Sequence, residues 1–195
     1  MYTYALRSLP RALLALALIL AVAGVSTASA QSYEAILNGA NESPPVVTTG
    51  TGTCQVDFDL TAHTMRVRAS FSGLVGTTTN CHIHAPTAVA FTGTVGVATT
   101  LPTFTGFPAG VTAGTYDATF DMTLASSYSA GFLGANGGTP ASAEVALHGY
   151  VAAGRAYFNV HSSFVGSGEI RGFLVPSTPT PVSVTTWGQI KALYR

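Results

Sequence analysis

Charge is scarce in this chain: 8% of its 195 residues are Asp, Glu, Lys or Arg, and acids and bases are equal in number. Such a balance supplies no basic stripe for nucleic acid and no strong field to steer an anion. Cysteine is nearly absent too. Cys54 and Cys81 are the two present, and neither lies in a C-x-x-C pair, which removes the motif of a thiol redox catalyst. After residue 30 no apolar run approaches the roughly 20 residues that a membrane helix needs. There is no G-x-S-x-G and no cysteine free to act as a nucleophile. The acidic pairs Asp57/Asp59 and Asp117/Asp121 fall on polar strand faces, with nothing beside them to raise one carboxyl as glycoside hydrolysis requires. These absences lead us to expect a protein without enzymatic activity.

What is present begins with an export pattern. Arg7 and Arg11 precede an apolar run over residues 12–25, and Ala28-Ser29-Ala30 supplies the small residues that a signal peptidase needs. Residues 1–30 are therefore expected to be a signal peptide cleaved before Gln31, giving a secreted, periplasmic or cell-surface protein with no membrane span. Its loss leaves six basic against eight acidic residues. In an oxidising compartment Cys54 and Cys81 are expected to pair as a disulfide, a closure of about 3–4 kcal/mol on the chain-entropy model.

Apolar and polar residues alternate along three segments. Tyr116, Ala118, Phe120, Met122 and Leu124 alternate with Asp117, Thr119, Asp121 and Thr123, and the same period of two recurs over 54–60 and 65–71. That period marks half-buried strands. Segments 33–37, 81–84, 94–99, 155–161 and 169–175 read as further strands. About eight strands with one wet face each predict an all-β fold, an antiparallel β-sandwich or Greek-key-like barrel. One short helix is expected within 140–151, with Thr139 as N-cap, Pro140 at the first helical position and Gly154 beyond its end. Residues 31–175 thus form one β domain, with a Pro/Gly/Phe-rich connection over 101–114. A Pro/Thr-rich linker follows over 176–185, and then a tail over 186–195 that could set Trp187, Ile190, Leu193 and Tyr194 on one helical face.

Strand parity also arranges the polar residues. Cys54 shares the inward parity of Val56 and Phe58, and Cys81 that of Ile83, so His82 and His84 turn together to the other face. Residues i and i+2 of a strand lie about 6.5–7 Å apart, within reach of a shared metal ion. In residues 157–161, burial of Phe158 and Val160 puts Asn159 and His161 outward, and in the last strand Glu169 and Arg171 oppose Ile170 and Leu174. Six residues are thereby expected on one outer polar surface: His82, His84, Asn159, His161, Glu169 and Arg171. The three imidazoles form a candidate site for copper or zinc, redox-active if copper, with Glu169 as a further ligand or an orienting partner and Asn159 and Arg171 beside it. The alternative is a hydrogen-bonded surface network in a binding or structural module. His63 and His148 are expected to be solvated or locally bonded. Asn41-Glu42-Ser43 fits the N-glycosylation pattern.

Three ordered blocks carry a family resemblance. Tyr33-Glu34-Ala35 with Leu37-Asn38-Gly39 and Asn41-Glu42-Ser43-Pro44-Pro45-Val46 opens the domain, and Cys81-His82-Ile83-His84-Ala85-Pro86 is central. Ala156-Tyr157-Phe158-Asn159-Val160-His161, followed by Gly168-Glu169-Ile170-Arg171-Gly172-Phe173-Leu174, closes it. Together they resemble the CHRD domain over about residues 31–175. The resemblance implies a secreted or surface β-rich module that binds a protein or surface ligand, without an established enzymatic activity. Ala85-Pro86 departs from the family, in which a glycine commonly follows H-I-H.

Overall fold

The computed structural model describes residues 30–177. The expected signal peptide, apart from Ala30, the linker beyond residue 177 and the whole expected tail lie outside the described residues. Eight strands are present: β1 (Gln31–Asn38), β2 (Thr51–Asp59), β3 (Thr64–Ser72), β4 (Thr78–His84), β5 (Gly114–Asp121), β6 (Tyr157–Ser162), β7 (Ile170–Phe173) and β8 (Val175–Pro176). They form one sheet in the order β4-β6-β7-β1-β2-β3-β5, with β8 also on β1, and every pairing is antiparallel. The expected all-β antiparallel architecture is therefore present, as a single curled sheet. The connection after β4 links the two edge strands. Phe104 N–H donates to the carbonyl of Cys81, Val111 and Gly110 bond Thr78, and Tyr116 of β5 donates its hydroxyl to Thr105.

Alternation sets the core. Val56, Phe58, Met65, Val67, Ile83, Phe158, Val160 and Ile170 all point inward and are buried. At about 25 cal/mol per Å² of apolar surface, each such side chain contributes roughly 1.5–3 kcal/mol. The pattern ends earlier than expected at two strand ends. Leu60 and Leu124 lie beyond β2 and β5 and are exposed, whereas Met122 is buried.

Two helices fill the connection between β5 and β6: α1 (Ala130–Ala135), which had no clear signal in the sequence, and α2 (Pro140–Ala152). α2 starts as expected. The Thr139 hydroxyl accepts from Ser142 N–H in a capping box, and Pro140 needs no donor there. Thr139→Ala should cost about 1 kcal/mol in chemical denaturation; a change near zero would show that packing alone holds this end.

Two expectations are corrected. Residues 94–99 are not a strand: the carbonyls of Val95 and Val97 bond the side chains of His84, Tyr157 and Ser129, and Ala98 and Thr99 bond the backbone of Ile83 and Ser129 without a continuous ladder. Only isolated bridges join Val97 to His84 and Thr99 to Tyr128. Cys54 and Cys81 point inward but are free thiols, not a disulfide. β1, β7 and β6 separate their strands in the sheet, so the thiols approach only across the interior. Burial pushes both thiols well above their ordinary pKa.

Candidate metal centre

β4 and β6 lie side by side, and their register sets His82 opposite Asn159 and His161 opposite Asn80. Parity then brings His82, His84 and His161 to one face, as expected. That face is not solvated: the three histidines are 3%, 7% and 7% exposed, and Asn159, Glu169 and Arg171 are also buried. Loops cover what strand alternation left polar. Residues 95–102 pass over His82 and His84, the turn over 163–168 covers His161, and Asn41 and Glu42 reach Arg171.

Each ring meets one backbone carbonyl of the covering loops. His82 Nε2 lies 2.6 Å from the Pro102 oxygen, His84 Nδ1 2.9 Å from that of Val95, and His161 Nδ1 3.0 Å from that of Gly166. A carbonyl can only accept, so each of these nitrogens carries the proton. In the neutral rings the remaining nitrogens are then His82 Nδ1, His84 Nε2 and His161 Nε2, each with a bare lone pair. These three converge. His161 Nε2 stands 3.5 Å from His82 Nδ1 and 3.3 Å from His84 Nε2, and all three lie within 4.8 Å of one another. Such approaches are hydrogen bonds only if a ring takes a second proton. Burial opposes that, pulling all three imidazoles below their ordinary pKa, His84 to about 4.

Three inward acceptors without a proton between them suit a cation. Bonds of 2.0–2.1 Å put two nitrogens on one ion at most about 4.2 Å apart, so both approaches to His161 fit as they stand. The His82 and His84 nitrogens lie within 4.8 Å of one another, and an ion bound to both would hold them within about 4.2 Å. Carbonyl acceptors behind metal-bound histidines are the usual means of fixing tautomer and ring angle. Among the described residues this is the one cluster of three or more such side chains. Neither thiol belongs to it. His63 bonds Glu144, and His148 contacts Gln31 and Tyr33, as locally bonded histidines.

The roles expected for the flanking residues change. Glu169 touches none of the imidazoles. Its carboxylate, fully buried, accepts from the Thr48 and Ser162 hydroxyls (2.5 Å each) and from the N–H groups of Val75 and Gly76 (2.6 and 3.2 Å). Burial alone would raise its pKa, but these donors outweigh it and hold the group below the ordinary carboxylate value. Glu169 is thus a brace for the loops, not a ligand or an orienting partner. Asn159 reaches Ser167 O at 3.4 Å, and Arg171 donates from Nε to the carbonyl of Asn41 at 2.5 Å. The Asn41 amide, which fits the glycosylation pattern, is engaged with the carbonyls of Ile36 and Arg171.

Tyr157 joins the site beyond the six residues expected. Its ring stacks on His84 at 4.8 Å and nearly parallel, its hydroxyl shares the Val95 carbonyl with that histidine, and the Arg171 guanidinium lies over its other side at 4.5 Å. Its signal was available, since Tyr157, Asn159 and His161 share one parity. The carbonyls of Val95, Pro102 and Gly166 have none, because every residue carries one.

No curated protein and no solved structure matches the chain. No helix among the described residues is long and apolar enough to cross a membrane. The family model of the CHRD domain matches residues 33–174, a stretch that runs from β1 to the end of β7 and contains all three histidines. The chain belongs to the CHRD domain family.

Proposed function

We propose that this chain is an exported, non-catalytic binding module that holds one copper or zinc ion through Nδ1 of His82 and Nε2 of His84 and His161. The observation that carries this reading is the division of labour on each ring: one nitrogen gives its proton to a backbone carbonyl, and the other turns its lone pair to a common point. Three neutral imidazoles without a thiolate or carboxylate suit Cu(II) or Zn(II). Export rests on the Ala28-Ser29-Ala30 pattern at the N-terminus. The absence of a nucleophile motif and the burial of the triad support a binding role over turnover.

The test is metal content of the natively exported protein, with calorimetric titration of the wild type and of a His82→Ala/His84→Ala variant. We expect about one ion per wild-type chain and none in the variant; equal uptake by both would end this reading. Acid provides a second check. A proton and the ion compete for the same lone pairs, and an exposed histidine starts to lose that competition near pH 6.5. Depressed pKa values shift the loss to lower pH. Uptake followed from about pH 8 to about pH 4 should hold well below pH 6.5 and fail towards pH 4, where His84 takes a proton. Loss already complete at about pH 6.5 would contradict the buried geometry.

A further inference from the structure

We propose that the outer edge of β5 pairs with the same edge of a second copy of this chain, about a two-fold axis at Ala118. The two ends of the sheet differ. Residues 98–111 seal β4: Ala98 N–H bonds the Ile83 carbonyl, Phe104 N–H that of Cys81, and Thr78 N–H the Val111 carbonyl, while the Thr99 and Thr103 hydroxyls accept from Ile83 and Cys81. β5 has no such cover among the described residues. Met122 N–H donates to the His63 carbonyl, and bonded positions alternate along an antiparallel ladder. Tyr116, Ala118 and Phe120 therefore bond β3 through their partners Ala69, Val67 and Met65. The N–H groups of Thr115, Asp117, Thr119 and Asp121 point the other way, and no described backbone group meets them.

This edge is also unguarded. Lysine, proline or a bulge usually protects a free edge. Residues 114–121 contain neither lysine nor proline, and their register with β3 is unbroken. Both aspartates are already engaged. Arg66 Nε and Nη2 hold Asp117 at 2.8 and 2.6 Å, and Asp121 accepts from the N–H and hydroxyl of Thr123. Ala118 and Phe120 are packed against the core yet only partly buried, so apolar surface reaches this edge.

The sequence of the edge fits itself. A two-fold axis at residue 117 would oppose Asp117 to its own copy, and one at residue 119 would oppose Asp117 to Asp121. An axis at Ala118 instead sets Asp117 opposite Thr119 and Asp121 opposite Thr115. Directly opposed like charges destabilise a strand pair, whereas a threonine hydroxyl donates to a carboxylate. On the core side the same register lays Phe120 against Tyr116 of the second copy, an aromatic cross-strand pair. One partner strand thus answers the free donors, the charges and the half-covered ring together.

Sedimentation velocity on the natively exported protein, from about 1 to about 100 µM, tests the proposal. The wild type is expected to approach twice the chain mass over this range. Thr119→Asp puts two like-charge pairs across the axis and should weaken association at least about tenfold. Thr119→Pro removes an outward N–H that β3 does not use, and should leave a folded monomer by thermal unfolding. Ala118→Cys reads the register. Its Cα atoms would lie about 4.5 Å apart across the axis, so oxidised glutathione should link the two copies, whereas Thr115→Cys should not link. A wild type that keeps the single-chain mass throughout, with the edge bare or taken by residues 178–195, would overturn the proposal. Undiminished association in both folded Thr119 variants, or Ala118→Cys linking no more than Thr115→Cys, would do the same.

Discussion

His161→Ala is expected to abolish stable copper and zinc binding, weakening it by more than about 100-fold in calorimetric titration. His161 matters most because its Nε2 is the atom both other rings approach, at 3.3 and 3.5 Å. Loss of an orienting partner behind a ligand already costs about 10–100-fold, and here a ligand itself is removed. The two remaining nitrogens, of His82 and His84, would form an incomplete set. A variant that folds, as judged by its thermal transition, and still takes up metal with wild-type affinity would remove His161 from the site.

Glu169→Ala is expected to give the largest loss of stability, about 3–5 kcal/mol in denaturant unfolding. The methyl group leaves four donors, from Thr48, Val75, Gly76 and Ser162, facing a buried space without an acceptor. A loss of this size should lower the thermal midpoint by roughly 10 °C in a domain of this length. The loss also has a pH signature. Glu169 has a folded pKa below its unfolded one, so its contribution is present above the unfolded value and disappears as pH falls through the folded value. The wild type and the variant should therefore converge in acid. A loss under about 1 kcal/mol would mean that water replaces the carboxylate and that the loops do not depend on it.

Alternation made the strands and the triad legible. Phe158 and Val160 could only be core, which fixed His161 to the opposite face, and the H-x-H segment followed the same rule from Ile83. Alternation says which side a residue takes, however, and not what lies over that side. Glu169 reads on parity as an outward charge, yet it is among the most completely buried side chains because residues 48, 75, 76 and 162 close around it. The cover over His82 and His84 comes from residues 95–102: the Val95 carbonyl, in a segment that resembles a strand in composition, meets His84, and the Pro102 carbonyl beyond it meets His82. The cysteines show the same limit: inward parity was right for both, but being inward on two walls of a curled sheet does not join them.

The proposed site has three lone pairs converging on one ion while three carbonyls hold the opposite nitrogens. Anomalous diffraction from crystals of the copper- or zinc-loaded protein tests it most directly. A single strong peak is expected within about 2.0–2.2 Å of His82 Nδ1, His84 Nε2 and His161 Nε2, with the contacts to Pro102, Val95 and Gly166 intact. A peak bound through the opposite ring nitrogens, or one seated elsewhere on the molecule, would contradict it.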